Sequence, residues 1–448
     1  MARLRNAVAC TLLLAGAAIT PAAQASDNDW GDYGDYEDWG DFGDLFGGDD
    51  DEDRDNREDP SDRASDIDID FEPDEILALN LTRASLSILR RLGFRIQEQR
   101  PLRTLRLALY RLRPPRNMTV RKALATLRKA DPKGYYDTNS IYLLAGSPYV
   151  SDRAAAPARE PSGTPRTPGA PAPACEGVRC YGQTMIGWQQ AGCAVRTRVG
   201  MLDTAVDARH PALAGRSVRL FRAQRGRASA GDTEHGTAVA ALLVGAPASG
   251  FPGLLPDAEL VAADVFGRDK KGRLYTDAAS LAKGLDWVAG EKVSVVNLSI
   301  TGPNGGVLHT AIRRLVKSGV AVVAAAGNLG PAAPAQYPAA YPEVIAVTAV
   351  DRQSRVYVKA NQGPYVSLAA PGVGIWTAGA GGAGVFREGT SFAAPFATAA
   401  VALLRTRQPE LAPASLLGHL QRLARDLGAP GNDPIYGWGL LQSQPCGI

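Results

Sequence analysis

Histidine and cysteine are scarce in this chain, at 4 and 5 of 448 residues. The cysteine spacing matches no common zinc pattern, and no histidine lies near the cysteines. Long apolar runs are missing too: none reaches the about 20 residues that a membrane-spanning helix needs. An excess of one charge is also lacking. The formal net charge of +3 gives no reason to expect a polyanionic partner. What is plentiful is apolar residues, at 45%, together with 48 glycines and 31 prolines. Such a chain can bury a sizeable core, and its length exceeds what one ordinary domain needs.

The charge balance conceals a division of the chain. Residues 1–25 read as an export signal, with Arg3 and Arg5 before the apolar run Ala7 to Ile19. Ala23-Gln24-Ala25 then fits a small-x-small cleavage site, so a secreted, periplasmic or extracellular protein is expected. Residues 26–74 are mostly Asp, Glu and Gly, with Trp30, Tyr33, Tyr36, Trp39 and Phe42 recurring every third position. With few aliphatic residues to offset ordering entropy, this acidic segment is expected to be disordered. Removal of the signal takes Cys10 and leaves Cys175, Cys180, Cys193 and Cys446. In an exported chain four cysteines suggest disulfides with three connectivities. Cys175–Cys180 with Cys193–Cys446 is preferred, since the second bridge ties the ends of the C-terminal domain.

Residues 75–146 have the opposite charge. Between Arg83 and Lys133 the acids are Glu98 and Asp131. Nucleic-acid binding is the reflex reading of such a stretch. The export signal, the lack of a known binding motif and the acidic neighbour argue against it. Hydrophobic patterning predicts strands at Glu75 to Leu81, Phe94 to Gln97, Leu105 to Leu112 and Asn139 to Leu144. Helices are expected at Arg83 to Leu92 and at Val120 to Ala130, the latter capped by Thr119. The order βαββαβ is that of a small α+β, ferredoxin-like domain. Residues 147–174, rich in Ala and Pro, read as an extended linker.

From Cys175 to the end, apolar strands alternate with helices. Val199 to Leu202, Leu260 to Val265, Val293 to Leu298, Val320 to Ala326 and Val344 to Val350 are continuous apolar runs, as buried parallel strands require. Thr276 to Ala289 and Leu308 to Lys317 read as helices between them. The fold class is therefore α/β, an open sheet covered on both faces.

Four positions carry chemistry. Asp203 ends the first strand, where open α/β sheets place ligands. His235 precedes the apolar helix Ala238 to Val244, whereas His210, His309 and His419 have no comparable setting. Ser391 stands before the helical run Phe396 to Leu404, at the positive end of a helix dipole, with Pro395 expected in the first turn. Asn328 follows a buried strand, where a turn residue can aim its amide at a developing oxyanion.

Together Asp203, His235-Gly236-Thr237 and Gly389-Thr390-Ser391-Phe392-Ala393-Ala394-Pro395 resemble the subtilisin-like serine proteases, or subtilases. The order Asp, His, Ser is that family's and not that of chymotrypsin or the α/β-hydrolases. Val295-Val296-Asn297-Leu298-Ser299, Tyr337 to Pro342, Ala369 to Gly372 and Tyr436 to Gly439 extend the resemblance from about Arg198 to Leu441. It implies a subtilisin-like three-layer sandwich with a mainly parallel sheet over 175–448. It also implies a serine endopeptidase with Asp203, His235 and Ser391 as triad and Asn328 with the Ser391 N–H as oxyanion hole. The rival is a catalytically silent module that keeps the fold for binding or folding.

The resemblance further implies that Ser299, Ile300, Thr301 and Gly302 bind substrate by strand addition. Thr301 replaces the usual glycine and Leu329 supplies an apolar pocket floor, so a small or apolar residue before the cut is expected. Substrates are proteins or peptides, and no cofactor is implied. The usual calcium positions match Ala212 and the loop 245–250, which lack the expected ligands; calcium elsewhere stays open. The 75–146 region resembles a subtilase propeptide in pattern and position, which makes it an intramolecular chaperone and inhibitor. Tyr142-Leu143-Leu144-Ala145 is then the stretch expected in the groove, with self-cleavage near Ala145.

Overall fold

The computed structural model describes residues 71–145, 179–188, 195–224, 233–269 and 272–443. The signal, the acidic segment up to residue 70 and the linker 147–174 lie outside them. Cys180 is disulfide-bonded; Cys175, Cys193 and Cys446, and with them the expected pairing, lie outside the described residues.

The N-terminal domain runs β1 (Phe71–Leu79), α1 (Arg83–Arg91), β2 (Arg95–Leu102), β3 (Leu107–Arg113), α2 (Val120–Ala130) and β4 (Tyr135–Leu144). The threonines before both helices supply their caps: Thr82 Oγ1 accepts from Ser85 N at 3.1 Å and Thr119 Oγ1 from Lys122 N at 3.4 Å. The strands pair antiparallel in the order β2-β3-β1-β4, the split βαβ arrangement. Three boundaries depart from hydrophobic patterning. β1 starts at Phe71, not Glu75, so residues 71–74 of the segment expected to be disordered are strand, Phe71 pairing with Ser140 of β4. β2 is an exposed edge strand that accommodates Pro101 near its end, so it lacks alternation. β4 begins at Tyr135, not Asn139, because its polar first half pairs with β1 from Leu79 to Ile76.

The second part continues with α3 (Tyr181–Met185), β5 (Arg198–Asp203), β6 (Val218–Arg222), α4 (Glu234–Val244), β7 (Glu259–Asp264), β8 (Gly267–Arg268) and β9 (Leu274–Asp277). Next come α5 (Ala278–Gly290), β10 (Val295–Leu298), β11 (Ile300–Thr301), α6 (Gly306–Lys317), β12 (Ala321–Ala325), β13 (Ile345–Val350) and β14 (Leu368–Pro371). The hairpin β15 (Ile375–Ala378) and β16 (Gly384–Arg387) precedes α7 (Thr390–Arg407) and α8 (Pro413–Leu423). Seven strands form a parallel sheet in the order β14-β13-β12-β10-β5-β7-β6.

Both faces of that sheet are covered, which gives the expected three layers. Val199, Met201, Leu260, Ala262, Val295 and Val323 pack in one core with α4 and α7. Their neighbours Leu202, Val261, Ala263, Val296, Leu298 and Val322 pack in the other with α5 and α6. Full burial of each such side chain contributes about 1.5–3 kcal/mol before ordering costs. The same alternation joins the two domains. Ile76, Ala78, Tyr110 and Leu112 face α1 and α2, while Leu77, Leu79, Leu107 and Leu109 enter the α5/α6 core. Chain order along the sheet reverses between β5 and β10, so their carboxyl ends flank a switch point, where open sheets bind ligands.

Candidate active site

Asp203 is the last residue of β5 and is fully buried. Its Oδ1 accepts from Thr204 N at 2.7 Å and faces His235 Nδ1 at 2.7 Å. His235 lies in the first turn of α4, which starts at Glu234 rather than at Ala238. With Nδ1–H committed to the carboxylate, Nε2 is left as the basic nitrogen. Nε2 is buried and has no hydrogen-bond partner among the described residues. The ring leans on Phe392, centroid to centroid 5.4 Å, next to Ser391. The other histidines lie elsewhere: His210 bonds Gly379 O, His309 stacks on Tyr341 and faces Glu343, and half-buried His419 bonds Ser415 O.

Ser391 is buried in the first turn of α7, which begins at Thr390. Pro395 therefore sits in the second turn, not the first as expected. Gly389 precedes the helix at φ +132°, and a Cβ there would come within 2.9 Å of Asn328 Nδ2. Only glycine fits that approach.

Asn328 meets Ser391 across the switch point. Its Oδ1 accepts from Thr390 N and Thr390 Oγ1, both at 3.0 Å, which turns Nδ2 toward the nucleophile. Thr390 also accepts from Gly327 N at 3.2 Å through the same hydroxyl. Thr390 is a positioning residue that sequence reasoning left without a role, although it lay inside the motif around Ser391.

The site is filled by the chain itself. Ala145 O accepts from Asn328 Nδ2 at 2.8 Å and from Ser391 Oγ at 3.0 Å. The Ser391 N–H, expected as the second donor, makes no hydrogen bond to Ala145 O; the hydroxyl takes that place. Ala145 N donates to Ser299 O at 3.1 Å. β4 pairs antiparallel with β11, Leu144 opposite Ile300 and Leu143 opposite Thr301. On its other edge Ile141 and Tyr142 pair with Asp277 and Thr276 of β9. Residues 141–145 are thus the middle strand of three, the strand addition expected at Ser299 to Gly302. Tyr142 is fully buried in space left by two glycines: a Cβ at Gly302 or Gly305 would come within 2.4 Å of its ring or hydroxyl. Burial pushes its phenol well above the usual range. Thr301 is buried, but Leu329 is 50% exposed. The expected floor is corrected to an open position: Leu329 N is held by Asn361 Oδ1 and Gly330 turns at φ +101°, which leaves the side chain facing solvent.

Charged groups flank the strand. Arg111, itself buried, contacts Glu75 and lies 3.2 Å from Asp277 Oδ2. Asp277 caps α5 through Ser280 N at 2.7 Å. Burial alone would raise its carboxyl, but the Arg111 charge and the Ser280 hydrogen bonds outweigh this and lower it. Asn139 Oδ1 accepts from Ala279 N at 3.2 Å, and Asp137 Oδ2 from Val307 N at 3.1 Å at the start of α6. The N-terminal domain thereby satisfies orphan donors of two helices of the second domain. Among the described residues, no group of three or more His, Cys, Asp or Glu side chains is arranged to hold a metal ion.

A buried carboxylate, an imidazole, a serine at a helix start and an amide aimed at one carbonyl, on a seven-stranded parallel sheet, define a subtilisin-like serine protease. The chain belongs to the Subtilase family, whose model matches residues 196–439. It is 33% identical to Subtilisin BL of Lederbergia lenta over 250 residues, 55% of this chain and 89% of that protein. It is 34% identical to the minor extracellular protease Epr of Bacillus subtilis over 214 residues, but spans 32% of that protein. Fervidolysin of Fervidobacterium pennivorans, a keratinolytic enzyme related to subtilisin, shares the fold with a TM-score of 0.66 at 24% identity. The match covers 84% of this chain and 61% of fervidolysin.

Proposed function

We propose that this protein is a secreted serine endopeptidase made as a self-processing zymogen, and that its first substrate is its own Ala145–Gly146 bond. The observation that carries this reading is the seating of Ala145 O between Asn328 Nδ2 and Ser391 Oγ, at 2.8 and 3.0 Å. The first contact puts the carbonyl oxygen on the oxyanion donor, and the second puts the Ser391 hydroxyl beside the same carbonyl, from which it must turn to His235 for attack. In the reaction, the Ser391 Oγ–H proton passes to His235 Nε2 as Oγ bonds to the carbonyl carbon. Asp203 stabilises the imidazolium, and Asn328 bonds the oxyanion. The C–N bond breaks as His235 returns the proton to the leaving amine. Water, deprotonated by the same imidazole, then releases the acyl group from Ser391.

On this reading residues 75–146 are the propeptide, a chaperone and inhibitor whose last strand occupies the groove. The seating of residues 141–145 between β9 and β11, with Ala145 O on Asn328 and Ser391, supports it. The export signal and the name of the extracellular relative support secretion. Ala145 in the site, with Thr301 beside the strand, supports cleavage after small residues.

N-terminal sequencing tests the proposal. Wild-type protein should mature to a chain that begins at Gly146, while Ser391→Ala should stay intact after purification. Cleavage of the Ser391→Ala protein at the same bond would refute self-processing. Failure of the mature wild type to label with a fluorophosphonate would favour the silent binding module instead.

A further inference from the structure

Pro395 lies four residues after Ser391 in α7, and it has no N–H to give the Ser391 carbonyl. A buried backbone carbonyl needs a donor. Here the donor comes from another element: Ser299 Oγ lies 3.3 Å from Ser391 O. The Ser299 hydroxyl spends its proton there, so it accepts from Asn297 Nδ2 at 3.2 Å. Asn297 Oδ1 in turn accepts from Thr398 Oγ1 at 3.0 Å. Thr398 is on α7 itself, two turns beyond Ser391. Ser299, Asn297 and Thr398 are all completely buried.

We propose that Thr398, Asn297 and Ser299 form a positioning relay that clips α7 to the end of β10 at two points and so fixes the nucleophile, in place of the helical hydrogen bond that Pro395 removes. The relay also reaches substrate. Ser299 O receives the N–H of Ala145 at 3.1 Å while Ser299 Oγ holds the backbone of Ser391. One residue thus sets the spacing between the residue before the cut and the attacking group. Because the substrate contact uses the backbone, removal of the hydroxyl leaves binding in place and disturbs the attack. The inference rests on the endopeptidase reading above.

The test is a pair of substitutions on the mature enzyme, with kinetics normalised to active sites counted by fluorophosphonate titration. Ser299→Ala should lower kcat about fivefold to tenfold, the value of one hydrogen bond, with KM within about twofold. Pro395→Ala gives position 395 an N–H that can serve Ser391 O, so Ser299→Ala/Pro395→Ala should recover most of the loss relative to Pro395→Ala alone. Thr398→Val, which touches neither the nucleophile nor substrate, should lower kcat about twofold to fivefold at unchanged KM. An unchanged kcat in Ser299→Ala, or no recovery in the double variant, overturns the relay. Should Ser299→Ala fail to mature, Thr398→Val decides alone, and full activity there overturns it equally. A wild type that labels with the probe and cleaves no peptide would instead count against the endopeptidase reading.

Discussion

Tyr142 offers a direct measure of how strongly the last strand of the N-terminal domain holds the groove. Its ring is fully buried, in a space that exists because residues 302 and 305 are glycines. Truncation of a buried aromatic ring costs about 3–5 kcal/mol when the surroundings cannot collapse. The two glycines have no side chain to move into the space, so the lower end of that range is a fair minimum. At about 1.4 kcal/mol per factor of ten, Tyr142→Ala should weaken inhibition of the mature enzyme by the added 26–145 chain at least a hundredfold. The hydroxyl behaves differently. Tyr142 Oη is buried near the Ser140 and Tyr341 hydroxyls, but neither meets it at full hydrogen-bond geometry. Tyr142→Phe should therefore inhibit within about threefold of wild type, because no full hydrogen bond is lost. Inhibition constants against a chromogenic peptide read both effects. Equal inhibition by the alanine and wild-type forms would refute the seating of residues 141–145 in the groove, and a large loss with phenylalanine would refute that account of the hydroxyl.

Asn328→Ala removes the donor nearest the developing oxyanion, and kcat should fall about 10²–10³-fold with KM little altered, as measured by progress curves on a peptide ester and amide. The interface between the domains should respond to pH. Burial first, then Asp277, raises the Glu72 carboxyl above 4.5, and burial raises Asp137 above 3.8. A raised carboxyl contributes stability that is complete below its ordinary value and lost as pH climbs through the raised one. The urea midpoint of the Ser391→Ala precursor should thus drop as pH rises above these ordinary values, and Glu72→Gln should reduce the drop. Asp277, lowered, acts in the opposite sense but only below 3.8, outside that window.

The side chains of the candidate site were legible because each sits in a short pattern of small residues that serves few other purposes. The parallel strands were legible as continuous apolar runs. Ala145 was legible as a small residue at the end of a strand. What escaped notice was decided by distant partners. Asp137, Thr138 and Asn139 broke the alternation of β4, because Asp137 and Asn139 serve helices in the other domain. Arg111 and Lys283 are buried beside Asp277 and Glu98, more than a hundred residues away, which no local pattern could show. Leu329 reads as apolar lining and faces solvent instead. Pro395 reads as a first-turn residue, since the pattern cannot show that α7 starts at Thr390.

The division of labour at the domain interface bears on the proposed zymogen, in which the last strand of the N-terminal domain must be held tightly and then released. The groove contacts are backbone pairing and a buried ring, which lose nothing by being desolvated together. The flanking Glu75–Arg111–Asp277 cluster is different. Bringing a guanidinium and two carboxylates out of water costs about as much as their attraction returns, so the cluster adds little net affinity. Its effect is on register: a strand shifted by one residue would leave buried charges unpaired, at a cost of about 3–5 kcal/mol per broken pair. On the self-processing proposed above, cutting after Ala145 would leave Asp277 its bonds to Ser280 and rehydrate it as Arg111 departs. The ion cluster therefore selects the one alignment that presents Ala145 to Ser391, and it does not hold the severed strand in place afterwards.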